Sequence, residues 1–176
     1  MAHFEVYSWM IDNNLMENIL QFNNTHLELY LQHRLQNEPN SVPAKQLLWK
    51  HYELQGRLLE AAKVLDNLAV SECTDFGIDQ RLDCISRAIV FVRAVTGGNQ
   101  ALEIDYLKKL EDKIEICHLQ KQIIEEIGDR DAKACEELGS CLFPIYRLLT
   151  DYAEPFDLTV SKLSILKVNG QNVLDY

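Results

Sequence analysis

Apolar residues recur every three or four positions along almost the whole chain, and this spacing commits it to helices. The longest case runs from Gln100 to about Ile127, where Leu107, Leu110, Ile114, Cys117 and Ile124 fall near heptad spacing with no Gly or Pro between them. Ile78, Leu82, Ile85, Ile89 and Val92 keep the same period up to about Val95. Only 7 Gly and 4 Pro occur in 176 residues, too few for a fold made of many turns. Each apolar stripe needs a facing stripe, so the helices must stack on one another.

Punctuation sets the element order. Phe4, Tyr7 and Ile11, with Trp9 and Met10 beside them, predict a first helix ending near Asn13-Asn14. Leu15, Ile19 and Phe22 predict a second, and Asn23-Asn24 stands where a third could be capped. That third helix carries Leu27, Leu31 and Leu35, and a loop with Pro39 follows. Ser41 is the expected N-cap of a fourth, which ends at Gly56, and its partner begins at Leu58. A turn this short makes the two antiparallel neighbours. Ser71 to Gly77 is a loop, and Thr96-Gly97-Gly98-Asn99 is a breaker. Asp131 to Leu138 and Leu142 to Tyr152 read as helical, with Pro144 in a first turn. Phe156 to Val168 is rich in β-branched residues, as strands are. Pro155 and Gly170 nevertheless stand where a helix would start and stop, and the segment is read as helix.

An all-α fold follows, an α-solenoid or stack of antiparallel helix pairs with about nine or ten helices. Residues 1–176 are expected to form a single solenoid segment. The helical pattern starts almost at Met1, which suggests a fragment of a longer protein.

Charge and composition narrow the function. The net charge is −10, from 17 basic and 27 acidic residues. This opposes binding to nucleic acid or to an anionic membrane surface, both of which require clustered Lys and Arg. The longest uninterrupted apolar run, Ala88 to Val92, is far below the roughly 20 residues of a membrane span. Glu5 and the lack of a basic leader oppose a signal peptide, so the sequon Asn23-Asn24-Thr25 carries no weight. The five Cys (73, 84, 117, 135 and 141) include no CxxC and read as reduced thiols, several of them buried.

No catalytic, cofactor-binding or metal-binding residue is assigned. His26 and His33 lie seven apart, and Cys117 and His118 point to different sides of a helix, which is not metal-ligand spacing. His3 and His51 have no partner in the pattern. The Gly97-Gly98 loop lacks a phosphate-cradle motif. Asp151 and Glu154 are an acidic pair without an argued pocket. Arg81 and Arg87, amid Asp79 and Asp83, read as intrahelix ion pairs worth about 0.2–0.5 kcal/mol.

One local pattern is sharper. Tyr52, Gly56 and Ala61 have the spacing of a tetratricopeptide-type hairpin. Ala61 and Ala62 would admit a close helix approach, Gly56 the turn, and Tyr52 with Trp49 would fill the groove. No second copy follows about 34 residues on, so a regular array is not expected.

The run Leu47-Leu48-Trp49-Lys50-His51-Tyr52-Glu53, then Ala61-Ala62-Lys63-Val64-Leu65 and Leu68-Ala69, resembles the C-terminal region of the large inner-ring scaffold nucleoporins, the nucleoporin 155/170 family. Gln80 to Ile89, Leu110 to Glu115 and Pro155 to Leu158 continue the likeness in order, whereas Gly128 to Pro144 matches poorly. The resemblance implies an α-solenoid that follows a β-propeller in the full protein. It implies a non-catalytic scaffold of the nuclear pore complex at the nuclear envelope, with no cofactor. Its implied partners are linker and inner-ring nucleoporins, and the partner-binding residues stay unassigned. A helix-repeat adaptor of another assembly, such as a vesicle coat, is the alternative, and a small helical enzyme is a more distant one.

Overall fold

The computed structural model describes residues 2–13, 15–21, 25–95 and 101–174. Ten α-helices are present among these residues: α1 (Ala2–Asp12), α2 (Met16–Gln21), α3 (Thr25–Asn37), α4 (Val42–Leu54), α5 (Leu58–Val70), α6 (Ile78–Val95), α7 (Ala101–Ile127), α8 (Ala132–Ser140), α9 (Ile145–Arg147) and α10 (Thr159–Leu174). No strand occurs among the described residues. The expected breakers at Asn23-Asn24 and at Thr96 to Asn99 lie outside them.

From α3 to α7 each helix packs on the next in chain order, as in a solenoid. The α4–α5 turn is closed by Gly56, at φ +72°. There the Arg57 N–H reaches back 2.9 Å to the Tyr52 carbonyl, a Schellman closure that requires a left-handed residue. Ser41 does occupy the N-cap of α4, but its hydroxyl makes no capping bond, and Pro43 sits in the first turn. Asp131, by contrast, caps α8 by accepting from the Ala134 N–H at 2.9 Å.

Ala61 and Ala62 are both wholly buried in α5, between α4 and α6. Ala61→Leu or Ala62→Leu should therefore cost about 1–3 kcal/mol by overpacking. An unchanged melting temperature for both variants would refute the close crossing. Tyr52 and Trp49 do not share that groove as expected. Trp49 turns toward α6, with its ring 6.4 Å from Phe91. Tyr52 turns toward α3, and its hydroxyl donates to Glu28 Oε1 at 3.0 Å while the Arg57 guanidinium lies 4.3 Å over its ring. Two positions three apart on α4 thus face different neighbours, α6 and α3.

Two apolar clusters form the core, and α7 joins them. Leu110 and Cys117 belong to the first, with α1 to α6. Leu119, Ile123 and Ile127 belong to the second, with α8 to α10. The predicted stripe through Ile124 thus gives way midway to one centred on Ile123, because the second cluster approaches α7 from another side.

The C-terminal segment corrects two signals. Pro144 is the N-cap of α9 and not a residue inside a helix that starts at Leu142. α9 then widens into a π-helical stretch, Leu148–Ala153, where the Glu154 N–H bonds the Leu149 carbonyl at 2.9 Å. Pro155 lies in the turn after this stretch, and α10 starts only at Thr159, past Asp157 at φ 51°. The helix expected between Phe156 and Val168 is present, but it runs through Gly170 to Leu174.

Candidate partner-binding surface

Arg81 is the most unusual buried side chain, and it is no intrahelix ion pair. It is 0% exposed and meets five backbone carbonyls. Nη1 donates to Ala69 O and Ser71 O, both at 2.7 Å, Nη2 to Cys73 O at 3.0 Å and to Ser140 O, and Nε to Gly139 O at 3.2 Å. These five bonds use all five guanidinium donors. The carbonyls belong to the C-terminal ends of α5 and α8 and the loop after α5, where helix dipoles place negative charge. Arg81 therefore ties the first cluster to the α8 end of the second. Arg87 also departs from the expectation, lying 5.1 Å over the Trp49 ring.

The stack leaves concave surfaces between its helices. One groove of about 600 Å³ lies between the end of α3, α4 and α5. Leu35, Pro39, Leu48, Val64 and Val70 make it largely apolar. Lys45 of α4, only 4% exposed, reaches from its floor to the Ser71 hydroxyl, which donates in turn to Asn67 O at 2.7 Å. No carboxylate pairs with Lys45 among the described residues, and burial pushes its amine below the usual lysine range. A second cleft, of about 630 Å³, lies between α1 and α3, lined by Phe4, Trp9 and Tyr30. Apolar side chains also stand exposed along α10 at Val160, Leu163 and Leu166, a repeat of three that forms one stripe.

The residues considered for chemistry do not converge. His51 is buried in α4, where it shares a 2.9 Å hydrogen bond with Gln55, and burial lowers its pKa. His26, His33 and His118 are exposed, and the His3 side chain lies outside the described residues. Asp151 pairs with Arg147 at 2.9 Å, one turn before it. No three His, Cys, Asp or Glu side chains among the described residues could together hold a metal ion. No helix among them is long and apolar enough to cross a membrane.

Two thiols are packing groups. Burial pushes Cys117 up to about 12 and Cys84 up to about 11. Iodoacetamide at pH 8 should therefore modify these two far more slowly in the folded chain than after unfolding. Peptide mass spectrometry over a time course reads this out, and fast labelling of Cys117 in the folded chain would contradict it.

The family model described as non-repetitive/WGA-negative nucleoporin C-terminal matches residues 1–175. The chain belongs to this nucleoporin family. Nuclear pore complex protein Nup154 of Drosophila melanogaster is 30% identical over 178 residues, covering 98% of this chain and 13% of that protein. Nucleoporin NUP170 of Saccharomyces cerevisiae is 25% identical over 174 residues, covering 94% of this chain and 11% of that protein. This nucleoporin chain thus spans about an eighth of the length of these relatives.

Solved structures agree with the helical stack. A Chaetomium thermophilum Nup170 C-terminal domain variant matches with a TM-score of 0.81 at 26% identity, over 98% of this chain and 35% of that one. The same domain in complex with Nup145N matches with a TM-score of 0.79 at 26% identity, with the same coverage. The nucleoporin chain therefore has the fold of that α-solenoid. The sequence blocks that carry the resemblance fall on α4 to α7 and the turn before α10.

Proposed function

We propose that the chain is a segment of the α-solenoid of a nuclear pore scaffold protein, and that it acts by binding other nucleoporins. Residues 1–176 would form one such segment within a longer protein located at the nuclear envelope, in the inner ring of the pore. One observation carries the reading: the Chaetomium Nup170 C-terminal domain, matched over 98% of this chain, was solved bound to Nup145N. The physical mechanism is groove recognition. Stacked helix pairs leave concave faces on which an extended or helical peptide lays apolar anchors. The anchoring energy comes from apolar area removed from water, about 25 cal/mol per Å². No catalysis is needed for this role, and none is proposed.

The test has two arms. A fluorescent fusion of the full-length protein should mark the nuclear rim, and residence on vesicles would favour the coat-adaptor alternative. Immobilised chain should retain linker-nucleoporin peptides at micromolar concentration. No retention at that concentration would count against the reading.

A further inference from the structure

We propose that the groove between α3, α4 and α5 receives an extended peptide that sets a carboxylate on Lys45 and apolar side chains against Leu48 and Val64. This rests on the partner-binding reading above and gives it a place and a chemistry.

Among the described residues, the groove's buried cation has no counterion. The Lys45 amino group is buried, and its hydrogen bond goes to the neutral Ser71 hydroxyl. An ammonium has three donors, and a buried one is costly unless it is paired. Lys63, on α5 and exposed at the rim, also has no ion pair among the described residues. Several other lysines are paired: Lys113 with Asp66, Lys121 with Asp79 at 2.7 Å, and Lys109 with Asp105 at 2.6 Å. Two unneutralised lysines facing one groove are conspicuous in a chain of net charge −10. Against them the lining offers a single carboxylate, Glu72. The remaining lining is mostly apolar, with Asn40, Asn67 and Ser71 as neutral polar groups, so the fitting ligand is largely apolar with one acidic group.

A peptide fits this description better than a nucleic acid. The overall negative charge repels a polyphosphate, while a single carboxylate needs only the local field of Lys45 and Lys63. Once seated, the carboxylate would accept from the two unused Lys45 donors in a site sheltered from water, where such bonds are stronger.

Fluorescein-labelled overlapping peptides that tile Chaetomium Nup145N are the probe, read by anisotropy against the purified chain. At least one should bind, and Lys45→Met should weaken it about tenfold or more. Lys63→Glu, on an exposed position that leaves the fold intact, should weaken the same peptide. Changing that peptide's critical Asp or Glu to the amide should also weaken it, but cost little further in the Lys45→Met protein, because the two act as one pair. Circular dichroism melts verify that both variants are folded. Binding that neither variant reduces would overturn the groove and leave the partner reading standing. No peptide bound at about 100 μM, a Kd already weaker than most specific interfaces, would overturn both. A dimer in sedimentation that Lys63→Glu dissociates would make a second copy the occupant and overturn the peptide.

Discussion

Replacing Arg81 with alanine is expected to remove about 3–5 kcal/mol from the unfolding free energy, because it strips a satisfied buried cation out of its carbonyl cage. All five donors are engaged, so the substitution strips a donor from five buried or half-buried carbonyls, of which Ser140 O alone keeps another, the Cys73 N–H at 2.9 Å. Whole domains are stable by only about 5–15 kcal/mol, so this loss is a large share of the total. Arg81→Lys should recover only part of it. An ammonium has three donors and no planar fork, and it cannot span the ends of α5 and α8 together. Urea unfolding followed by circular dichroism reads the loss as a lower midpoint. Hydrogen exchange should also quicken in α8, since Arg81 bonds its last carbonyls. A midpoint unchanged in Arg81→Ala would show that water or neighbours satisfy the cage without it.

Gln120→Leu is expected to cost about 2–4 kcal/mol for a related reason. Gln120 is 0% exposed in the last third of α7. Its Nε2 donates to Leu138 O and, at 2.7 Å, to Cys141 O, and its Oε1 accepts from the Phe143 N–H at 3.0 Å. One amide thus closes the backbone of the loop between α8 and α9. Leucine fills the space but leaves those three groups unpaired. Gln120→Glu should be worse at pH 7, since a buried carboxylate would face two carbonyls. Burial raises the pKa of such an acid in the folded state, so folding takes up a proton. The penalty relative to the parent should therefore shrink as pH falls toward 5 and grow as it rises. Melting curves of the parent and both variants at pH 5 and pH 7.5 decide this. A Gln120→Glu penalty independent of pH would contradict the buried contact.

Much of the fold was legible because it rests on side-chain period. α4, α5 and α6 lie where the apolar stripes and Gly56 put them, and α6 ends at the expected residue. Arg81 was misread because its charged neighbours in sequence suggested an ion pair. Yet Ile78, Ile85, Ala88 and Val92 line the buried stripe of α6, and position 81 falls on it. A charged residue on an apolar stripe is the sign of a buried, fully bonded cation, and that sign was present. Gln120 carried a related sign in α7, a neutral polar residue on the buried stripe beside Cys117 and Ile123.

The partners of both side chains could not be read. They are backbone carbonyls and an N–H of 138–143, the end of α5 and the loop after it, which side-chain identity does not mark. Pro155 and Gly170 misled for another reason. Helix ends depend on tertiary packing as well as on local preference, and the π-helical stretch shifted the start of α10 to Thr159. The grooves were illegible because each needs separate helices stacked in register. Only the structure brings Lys45, Val64 and Ser71 to one wall.

Isothermal titration of the purified 176-residue chain with Chaetomium Nup145N tests the central claim most directly. Saturable one-to-one binding is expected, with a Kd of about 1 μM or tighter, near −8 kcal/mol. No saturable heat with folded chain at about 100 μM would contradict it.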